Sequence, residues 1–284
     1  MDTLTLSAAN ETMPQQQGNQ QQGSIFFVGT ATTIIQYGGF VILTDPNFLH
    51  AGDHVHLGYG LTSQRRTNPA LEIEDLPPLD LCILSHMHED HWDHVAAAKL
   101  SKTLPIVTTY EAAKKLRQQG FTQPYPLETW ATQIFRKGEQ WLRITAMPAR
   151  HGPGALQALL PSVNGSMLEW GETDQPPSFR LYISGDTILH DDLRRIPQQF
   201  PNIDLALIHL GGTRALGVLL TMDARQGVQA ISIIRPHKVI PIHYNDYTVF
   251  KSPISDFLQA VDEAHLGIPI HYLGHGDTYT FETP

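Results

Sequence analysis

The feature that most constrains this chain is the ten-residue run Ser85–His94, which contains four histidines and three acidic residues. The apolar run Leu79–Leu84 precedes it and predicts a buried strand, whereas Trp92–Leu100 predicts the start of a helix. The run therefore lies on a loop at the carboxyl end of a strand. The alternative is a histidine-rich surface loop, but this cluster directly follows an apolar strand and has polar partners elsewhere in the chain.

The spacing within this run is typical of a metal site. Side chains two apart on an extended segment point to the same side, so His86 and His88 can bind one metal ion. Asp90 and His91 come one turn later, at the helix start, and can reach a second ion. Imidazole nitrogens and carboxylate oxygens suit zinc and similar divalent ions. We therefore expect zinc, with manganese or iron as alternatives.

Length and charge limit the possible architectures and partners. The chain has 284 residues, which allows one large α/β domain or two small ones. Its net charge of −9 argues against nucleic acid as the main partner, and no apolar run is long enough to span a membrane. Cys82 is the only cysteine, so no internal disulfide forms. Its apolar neighbours predict a buried thiol, which fits a reducing, cytoplasmic location.

Three segments lack the patterns of regular structure. Residues 1–23 carry two glutamine triplets without the basic start and apolar core of a secretory signal, so we expect a flexible tail followed by a single domain over 24–284. Residues 47–70 and 153–178 show no periodicity and are predicted to be loops, each a candidate lid. Arg65 and Arg66 in the first either hold an anionic group of the substrate or are surface charges.

Further metal-type residues follow other predicted strands. His151 comes after the strand Gln140–Met147, Asp186 comes after Phe179–Ser184, and His243 comes after Lys238–Ile242. Open α/β sheets place their sites at the carboxyl edge, so we expect these side chains to meet the Ser85–His94 run. Asp45 also ends a strand and has two interpretations: it orients a ligand histidine, or it forms a turn before Pro46.

The order of these residues resembles the metallo-β-lactamase superfamily. The matching positions are His86-x-His88-x-Asp90-His91, His151, Asp186 within Gly-Asp-Thr, and His243. The segments Phe27–Thr32 and Thr44–Pro46 look like the branch that contains L-ascorbate-6-phosphate lactonase and N-acyl-phosphatidylethanolamine phospholipase D. That branch often has histidine where this chain has Thr30.

The resemblance implies a fold and a ligand set. The fold is an α/β four-layer αββα sandwich of the metallo-β-lactamase type. One metal ion takes His86, His88 and His151, and the other takes Asp90, His91 and His243. Asp186 bridges the two ions together with a water or hydroxide.

These ligands predict a metal-dependent hydrolase whose bridging hydroxide attacks an ester, lactone or phosphoester of a small-molecule substrate. A phosphodiesterase acting on a lipid or nucleotide is the alternative. Asp90 orients the nucleophile, and His209 and Tyr244 are candidate catalytic donors, the alternatives being a core histidine and a structural tyrosine. A di-iron redox protein fits less well, because proteins of that kind on this scaffold have glutamate at the position of His88. An inactive scaffold also fits less well, because all seven ligand positions are filled. A homo-oligomer is compatible with the sequence.

Overall fold

The computed structural model describes residues 3–6, 22–58, 60, 62–154, 157, 160–215 and 217–283. Eighteen strands and five α-helices lie within these ranges. The strands are β1 (Thr3–Thr5), β2 (Gln22–Gly29), β3 (Thr32–Tyr37), β4 (Phe40–Thr44), β5 (His54–His56), β6 (Thr62–Gln64), β7 (Leu81–Ile83), β8 (Ile106–Thr108), β9 (Pro124–Pro126), β10 (Thr132–Lys137), β11 (Gln140–Met147), β12 (Gly165–Glu172), β13 (Phe179–Ile183), β14 (Leu205–His209), β15 (Arg214–Ala215), β16 (Val218–Leu219), β17 (Val239–Ile242) and β18 (Thr278–Glu282). The helices are α1 (His94–Lys99), α2 (Tyr110–Gln118), α3 (Ile196–Gln199), α4 (Ala224–Ile234) and α5 (Ile254–Ala264).

Two mixed seven-stranded sheets form the centre of the molecule. The first has the order β18-β2-β3-β4-β7-β8-β9, and the second has the order β1-β10-β11-β12-β13-β14-β17. Apolar side chains from both sheets, such as Phe27 and Ile35 from one and Leu168 and Leu207 from the other, share one buried core. The sheets therefore pack face to face, as expected for a sandwich.

Helices cover both outer faces. On the first sheet, Cys82 and Leu84 pack with Ala96 of α1 and Leu116 of α2. On the second sheet, Tyr182, Ala206 and Ile208 pack with residues of α4 and α5. The predicted αββα sandwich is confirmed. No helix in the described ranges is long and apolar enough to cross a bilayer.

Side-chain caps fix where three of these helices begin. Asp93 accepts from the backbone N–H of Ala96 at the start of α1, and Thr109 does the same for Ala112 in α2. Asp223 caps α4 through Gln226. Each cap satisfies a backbone donor that the first helical turn leaves without a partner. Asp93 therefore lies at the start of the helix that was predicted within Trp92–Leu100.

The prediction of a loop over residues 153–178 was wrong in its second half. Strand β12 lies there between β11 and β13 and is buried along almost its whole length. A strand buried on both faces shows no alternation of polar and apolar residues, so its sequence gives no period-two signal. Leu168 and Trp170 belong to the core rather than to a wall of the site.

Two smaller differences concern the other segments predicted to lack structure. Residues 47–70 contain the hairpin β5–β6. Thr3–Thr5 pairs in parallel with Ile134–Arg136, and β2 begins at Gln22, two residues before the predicted start of the fold. Three-residue strands are too short to show periodicity in a sequence. Most of the predicted tail, residues 7–21, lies outside the described residues.

Candidate metal centre

The carboxyl ends of several strands bring the polar residues to one edge of the sandwich. β4 and β7 run parallel and end just before Asp45 and His86. In the other sheet β13, β14 and β17 run parallel, which places Asp186 and His243 at the same edge. Gly185 is required before Asp186, because its φ is +63° and a Cβ there would lie 2.6 Å from the Asn164 carbonyl oxygen.

Three imidazoles form what we call the imidazole half of the site: His86, His88 and His151. The Nδ1 atom of His88 lies 2.9 Å from Nε2 of His86 and 3.1 Å from Nε2 of His151. Burial lowers the pKa of all three, that of His88 to about 3 and that of His86 well below its usual value. Three neutral imidazoles therefore converge on one point, in the protonation state that metal binding requires.

A second group, which we call the carboxylate half, contains Asp90, His91 and His243. Nε2 of His243 lies 3.1 Å from Nε2 of His91 and 3.4 Å from Oδ2 of Asp90. Burial alone would lower the pKa of His91, but the charges of Asp186 and Asp90 outweigh it and raise that pKa well above its usual value. The carboxylates around His91 therefore favour a positive charge in this half, which is carried by protonated imidazole in the absence of another cation.

Asp186 lies between the two halves. Its Oδ2 atom is 3.3 Å from Nε2 of His91 and 3.9 Å from Nε2 of His86, and its Oδ1 atom is 3.5 Å from Nδ1 of His243. Burial would raise the pKa of Asp186, but the positive charge of His243 and His91 holds it well below its usual value. One carboxylate thus faces ligands of both groups.

The opposite ring nitrogens of several histidines are held by other groups. Nδ1 of His151 donates to the carbonyl of Leu220 at 3.1 Å, and Nδ1 of His243 lies 3.2 Å from that of Leu210. Because these carbonyls accept a hydrogen bond from Nδ1, Nε2 is the nitrogen of each ring that remains for binding a metal ion. Such contacts fix both the tautomer and the orientation of the ring.

Asp45 holds His91 in the same way. Its Oδ2 lies 3.1 Å from Nδ1 of His91, and its Oδ1 accepts from the backbone N–H of Ser85 at 2.7 Å. Burial opposes the charge of Asp45, yet His91 and His209 lower its pKa to about 2. Of the two interpretations of Asp45, the structure favours orientation of a histidine.

Ser85 was not singled out by the sequence. Its hydroxyl lies 2.9 Å from Nδ1 of His86 and 3.4 Å from Nδ1 of His91. The available signal was its position directly before the first histidine of the run. Ser85 thus connects the orientation of one ligand in each half.

The two candidate catalytic donors lie farther from this convergence. His209 is fully buried, with Nδ1 3.3 Å from the Ser184 hydroxyl and Nε2 3.6 Å from Oδ2 of Asp45. Its ring stacks on that of His91 at 6.0 Å. The hydroxyl of Tyr244 donates to the carbonyl of Leu273 at 3.0 Å. His209 therefore lies behind His91, and the Tyr244 hydroxyl is occupied by the backbone.

The unpaired oxygens of the site fit bound cations. Within the described ranges, Oδ1 of Asp90 and Oδ1 of Asp186 are buried without a hydrogen-bond partner. A buried carboxylate oxygen left unpaired is costly, so a cation beside each fits the arrangement. Four groups of three donors converge to within 4.8 Å: His86, His88 and His151; Asp45, His91 and His209; His86, His91 and Asp186; Asp90, His91 and His243. These donors suit divalent metals.

The chain is similar in sequence to a known protein family and to metal-dependent hydrolases. Residues 39–244 match the family model described as the beta-lactamase superfamily domain, a range that includes every residue of both halves. A UPF0173 metal-dependent hydrolase of Thermus thermophilus is 29% identical over 255 residues, which cover 88% of this chain and 96% of that protein. A UPF0173 metal-dependent hydrolase of Pelotomaculum thermopropionicum is 31% identical over 193 residues, which cover 65% of this chain and 75% of the relative.

A solved structure shows the same fold. The isothiocyanate hydrolase from Delia radicum gut bacteria superposes with a TM-score of 0.76 over 92% of this chain and 100% of that one. The two chains are 21% identical in sequence. The likeness therefore supports the architecture described above.

Proposed function

Since this chain belongs to the beta-lactamase superfamily and is a metal-dependent hydrolase within it, we propose that it hydrolyses a small ester or lactone at a dinuclear metal centre. The observation that carries this proposal is the position of Asp186. Its carboxylate lies within 3.9 Å of His86 in the imidazole half and within 3.5 Å of His91 and His243 in the carboxylate half. A carboxylate in that position would be a ligand shared by two ions.

We assign one ion to each half. His86, His88 and His151 hold the first, whereas Asp90, His91 and His243 hold the second, and zinc suits both donor sets. Two bound divalent ions would lower the pKa of a water towards neutrality and neutralise the charge that develops on the substrate oxygen. Burial of the ligands limits the access of other water to the site.

Asp90 is the residue that we assign to proton handling. Its Oδ2 atom faces His243, while its buried Oδ1 has no partner among the described residues. Oδ1 is therefore available to orient the attacking water and accept its proton. The neighbouring His91 is held in place by Asp45 and does not need to move.

A hollow beside His151 favours an uncharged substrate. It has a volume of about 350 Å³ and is lined by Tyr110, Leu127 and Val163 together with polar uncharged groups. Glu128 is the one charged side chain among the described residues that line it, because the imidazole of His151 is neutral. Arg65 and Arg66 were the candidates for holding a substrate anion; Arg65 is buried and donates to the carbonyl of Thr67, and Arg66 is exposed and does not line the hollow. A neutral carboxylic ester or lactone fits this lining better than a phosphate.

The finer placement of the chain rests on sequence motifs. The segments Phe27–Thr32 and Thr44–Pro46 support a relationship to the lactonase and phospholipase D-like branch. Both segments adjoin the proposed centre: the carbonyl of Thr30 accepts from the backbone N–H of His243 at 2.6 Å, and Asp45 contacts His91. We propose this branch on those grounds.

The donor roles predicted for His209 and Tyr244 remain predictions. A donor role requires that His209→Asn or Tyr244→Phe lower kcat by about 10²-fold or more while the thermal midpoint stays close to that of the parent. An unchanged kcat with a small loss of stability would assign Tyr244 to the hydrogen bond with Leu273 alone.

Metal analysis combined with a substrate screen tests the proposed function. The screen compares neutral lactones and carboxylic esters with bis-(p-nitrophenyl) phosphate and phosphomonoesters. We expect two equivalents of metal and faster turnover of the neutral substrates. Preference for the phosphodiester would support the alternative phosphodiesterase, and full turnover after complete removal of metal would contradict a metal-dependent reaction.

A further inference from the structure

Arg65 is a buried arginine at the end of the hairpin β5–β6. Its side chain is 1% exposed, so it is neither a surface charge nor open to solvent. Its Nε donates to the carbonyl of Thr67 at 2.9 Å, and its Nη1 donates to the backbone and side-chain oxygens of Asn47. A desolvated guanidinium is costly unless its donors are used. Here Nε and Nη1 hold two loop segments, while Nη2 is buried without a hydrogen-bond partner among the described residues.

Asn47 carries this contact to the histidine-rich run. Its Oδ1 accepts from Arg65 and from the hydroxyl of Tyr247 at 2.9 Å. With Oδ1 committed to two donors, the amide nitrogen faces the other way and donates to the carbonyl of Glu89 at 2.8 Å. Glu89 lies between His88 and Asp90 in sequence, and the carbonyl that Asn47 contacts belongs to the peptide group shared with Asp90. Arg65 thus acts on the backbone that carries the ligands of the carboxylate half.

The same arginine is tied to the segment that follows His243. Arg65 forms an antiparallel bridge with Tyr247, and the N–H of Arg66 donates to the carbonyl of Asp246 at 2.8 Å. The guanidinium also lies over the Tyr247 ring at 5.7 Å. Phe250 then connects Tyr247 to the ring of His243, with centroids 5.7 Å and 4.5 Å away.

These contacts converge on one half of the site. In the imidazole half, the hydroxyl of Ser85 contacts His86 and the carbonyl of Leu220 accepts from His151 instead. We propose that Arg65, acting through Asn47 and Tyr247, is a positioning residue that holds the loops of Asp90 and His243 at the distance needed for the second metal ion. This inference rests on the proposed dinuclear centre and explains how the second metal position, in the carboxylate half, is held in shape.

Metal titration tests the proposal. The protein is first freed of metal with a chelator, and it then competes with a chromophoric chelator for added Zn²⁺. We expect Arg65→Met to weaken the second equivalent of zinc by about 10- to 100-fold and to leave the first equivalent unchanged. Arg66→Met is the matched control, because this neighbouring side chain is exposed, and it should leave both equivalents unchanged. Arg65→Lys keeps the charge but loses the planar fork, so it should not restore the second equivalent.

The possible results separate the two proposals. Equal weakening of both equivalents in Arg65→Met, or no weakening of either, would overturn the positioning role. A parent protein that binds only one equivalent would contradict the dinuclear centre itself, and this inference with it. If Arg65→Met does not fold, Tyr247→Phe decides, because it keeps the ring and removes only the donor to Asn47. Tyr247→Phe should weaken the binding of the second equivalent alone, by about three- to tenfold. A second equivalent bound as tightly as in the parent protein would overturn the proposal.

Discussion

The two halves of the site differ in charge and in how their ligands are held. The imidazole half consists of neutral rings whose pKa values burial has lowered. The carboxylate half contains Asp90 and two histidines, His91 and His243, whose pKa values are raised because nearby carboxylates outweigh the effect of burial. If each half binds a metal ion, the first half would do so without losing protons, whereas the second would release protons.

The supports of the two halves differ in the same way. Neutral groups, the hydroxyl of Ser85 and the carbonyl of Leu220, orient the imidazole half. Two buried charges support the carboxylate half: Asp45 contacts His91 directly, and Arg65 acts through Asn47. We therefore expect the two metal positions to respond to different substitutions, except at Asp186, which faces both halves, and at Ser85, which contacts His86 and, at a longer distance, His91.

The largest effect is expected from Asp186→Ala, because this carboxylate faces both halves. Affinity for both equivalents of metal should fall by more than about 100-fold, and hydrolysis should fall by at least about 10²-fold. Asp277→Ala is the control, since Asp277 stands in a second Gly-Asp-Thr that forms an exposed turn. Metal analysis and initial rates measure both effects, and a variant that retains either equivalent at full affinity would argue against a bridge.

His88→Gln separates the halves most sharply. It removes the nitrogen on which His86 and His151 converge, so the first equivalent of metal should weaken by more than about 100-fold. The second equivalent should remain near the parent affinity, because Asp90, His91 and His243 are unchanged. Titration with Co²⁺, followed by its visible absorption, counts the ions. Loss of both equivalents would mean that the halves do not bind independently.

Asp45→Asn should weaken metal binding in the carboxylate half, by less than His88→Gln weakens it in the imidazole half. The amide cannot hold His91 as the carboxylate does, so the second equivalent should weaken by about 10- to 100-fold. The same substitution tests the electrostatics of the metal-free protein. Because the folded pKa of Asp45 is about 2 and its ordinary value is 3.8, the carboxylate stabilises the fold above about pH 4.

That contribution is lost as the pH falls from about 4 towards 2. The difference in unfolding free energy between the parent and Asp45→Asn, about 2 kcal/mol near neutrality, should shrink over this range. Denaturant unfolding with chelator present measures it. A difference that stays constant down to the lowest pH would contradict the charged pair between Asp45 and His91.

The smallest effect is expected from Ser85→Ala. Removing the hydroxyl leaves Nδ1 of His86 without its contact, and the affinity of the first equivalent should fall by about three- to tenfold. Ser101→Ala, at an exposed position away from the site, is the control. The same zinc titration distinguishes the two variants. Equal affinity of Ser85→Ala and Ser101→Ala for the first equivalent would show that Ser85 does not orient His86.

The convergence of the candidate ligands at one edge could be predicted because the segments that carry them follow strands with a clear apolar pattern. His86, Asp186 and His243 follow parallel strands, and the edge at which such strands end is a property of the sheet rather than of any one contact. Strand β12 escaped prediction because it is buried on both faces. The layer arrangement was predicted from a resemblance, and the packing of the two sheets bears it out.

The supports of the site could not be predicted in the same way. The contact of Asn47 with Tyr247 joins residues 200 positions apart, and that of Asn47 with Glu89 joins residues 42 apart. No local spacing encodes such pairs, because they exist only once the hairpin β5–β6 has packed against both loops. Arg65 therefore had two interpretations in the sequence, substrate contact and surface charge, and its burial fits neither.

Anomalous diffraction from crystals of the zinc-loaded protein, recorded above and below the zinc edge, tests the central claim most directly. Two peaks are predicted, one among His86, His88 and His151 and the other among Asp90, His91 and His243, with the Asp186 carboxylate between them. A single peak, or a peak outside these two groups of ligands, would contradict a centre built from two differently supported halves.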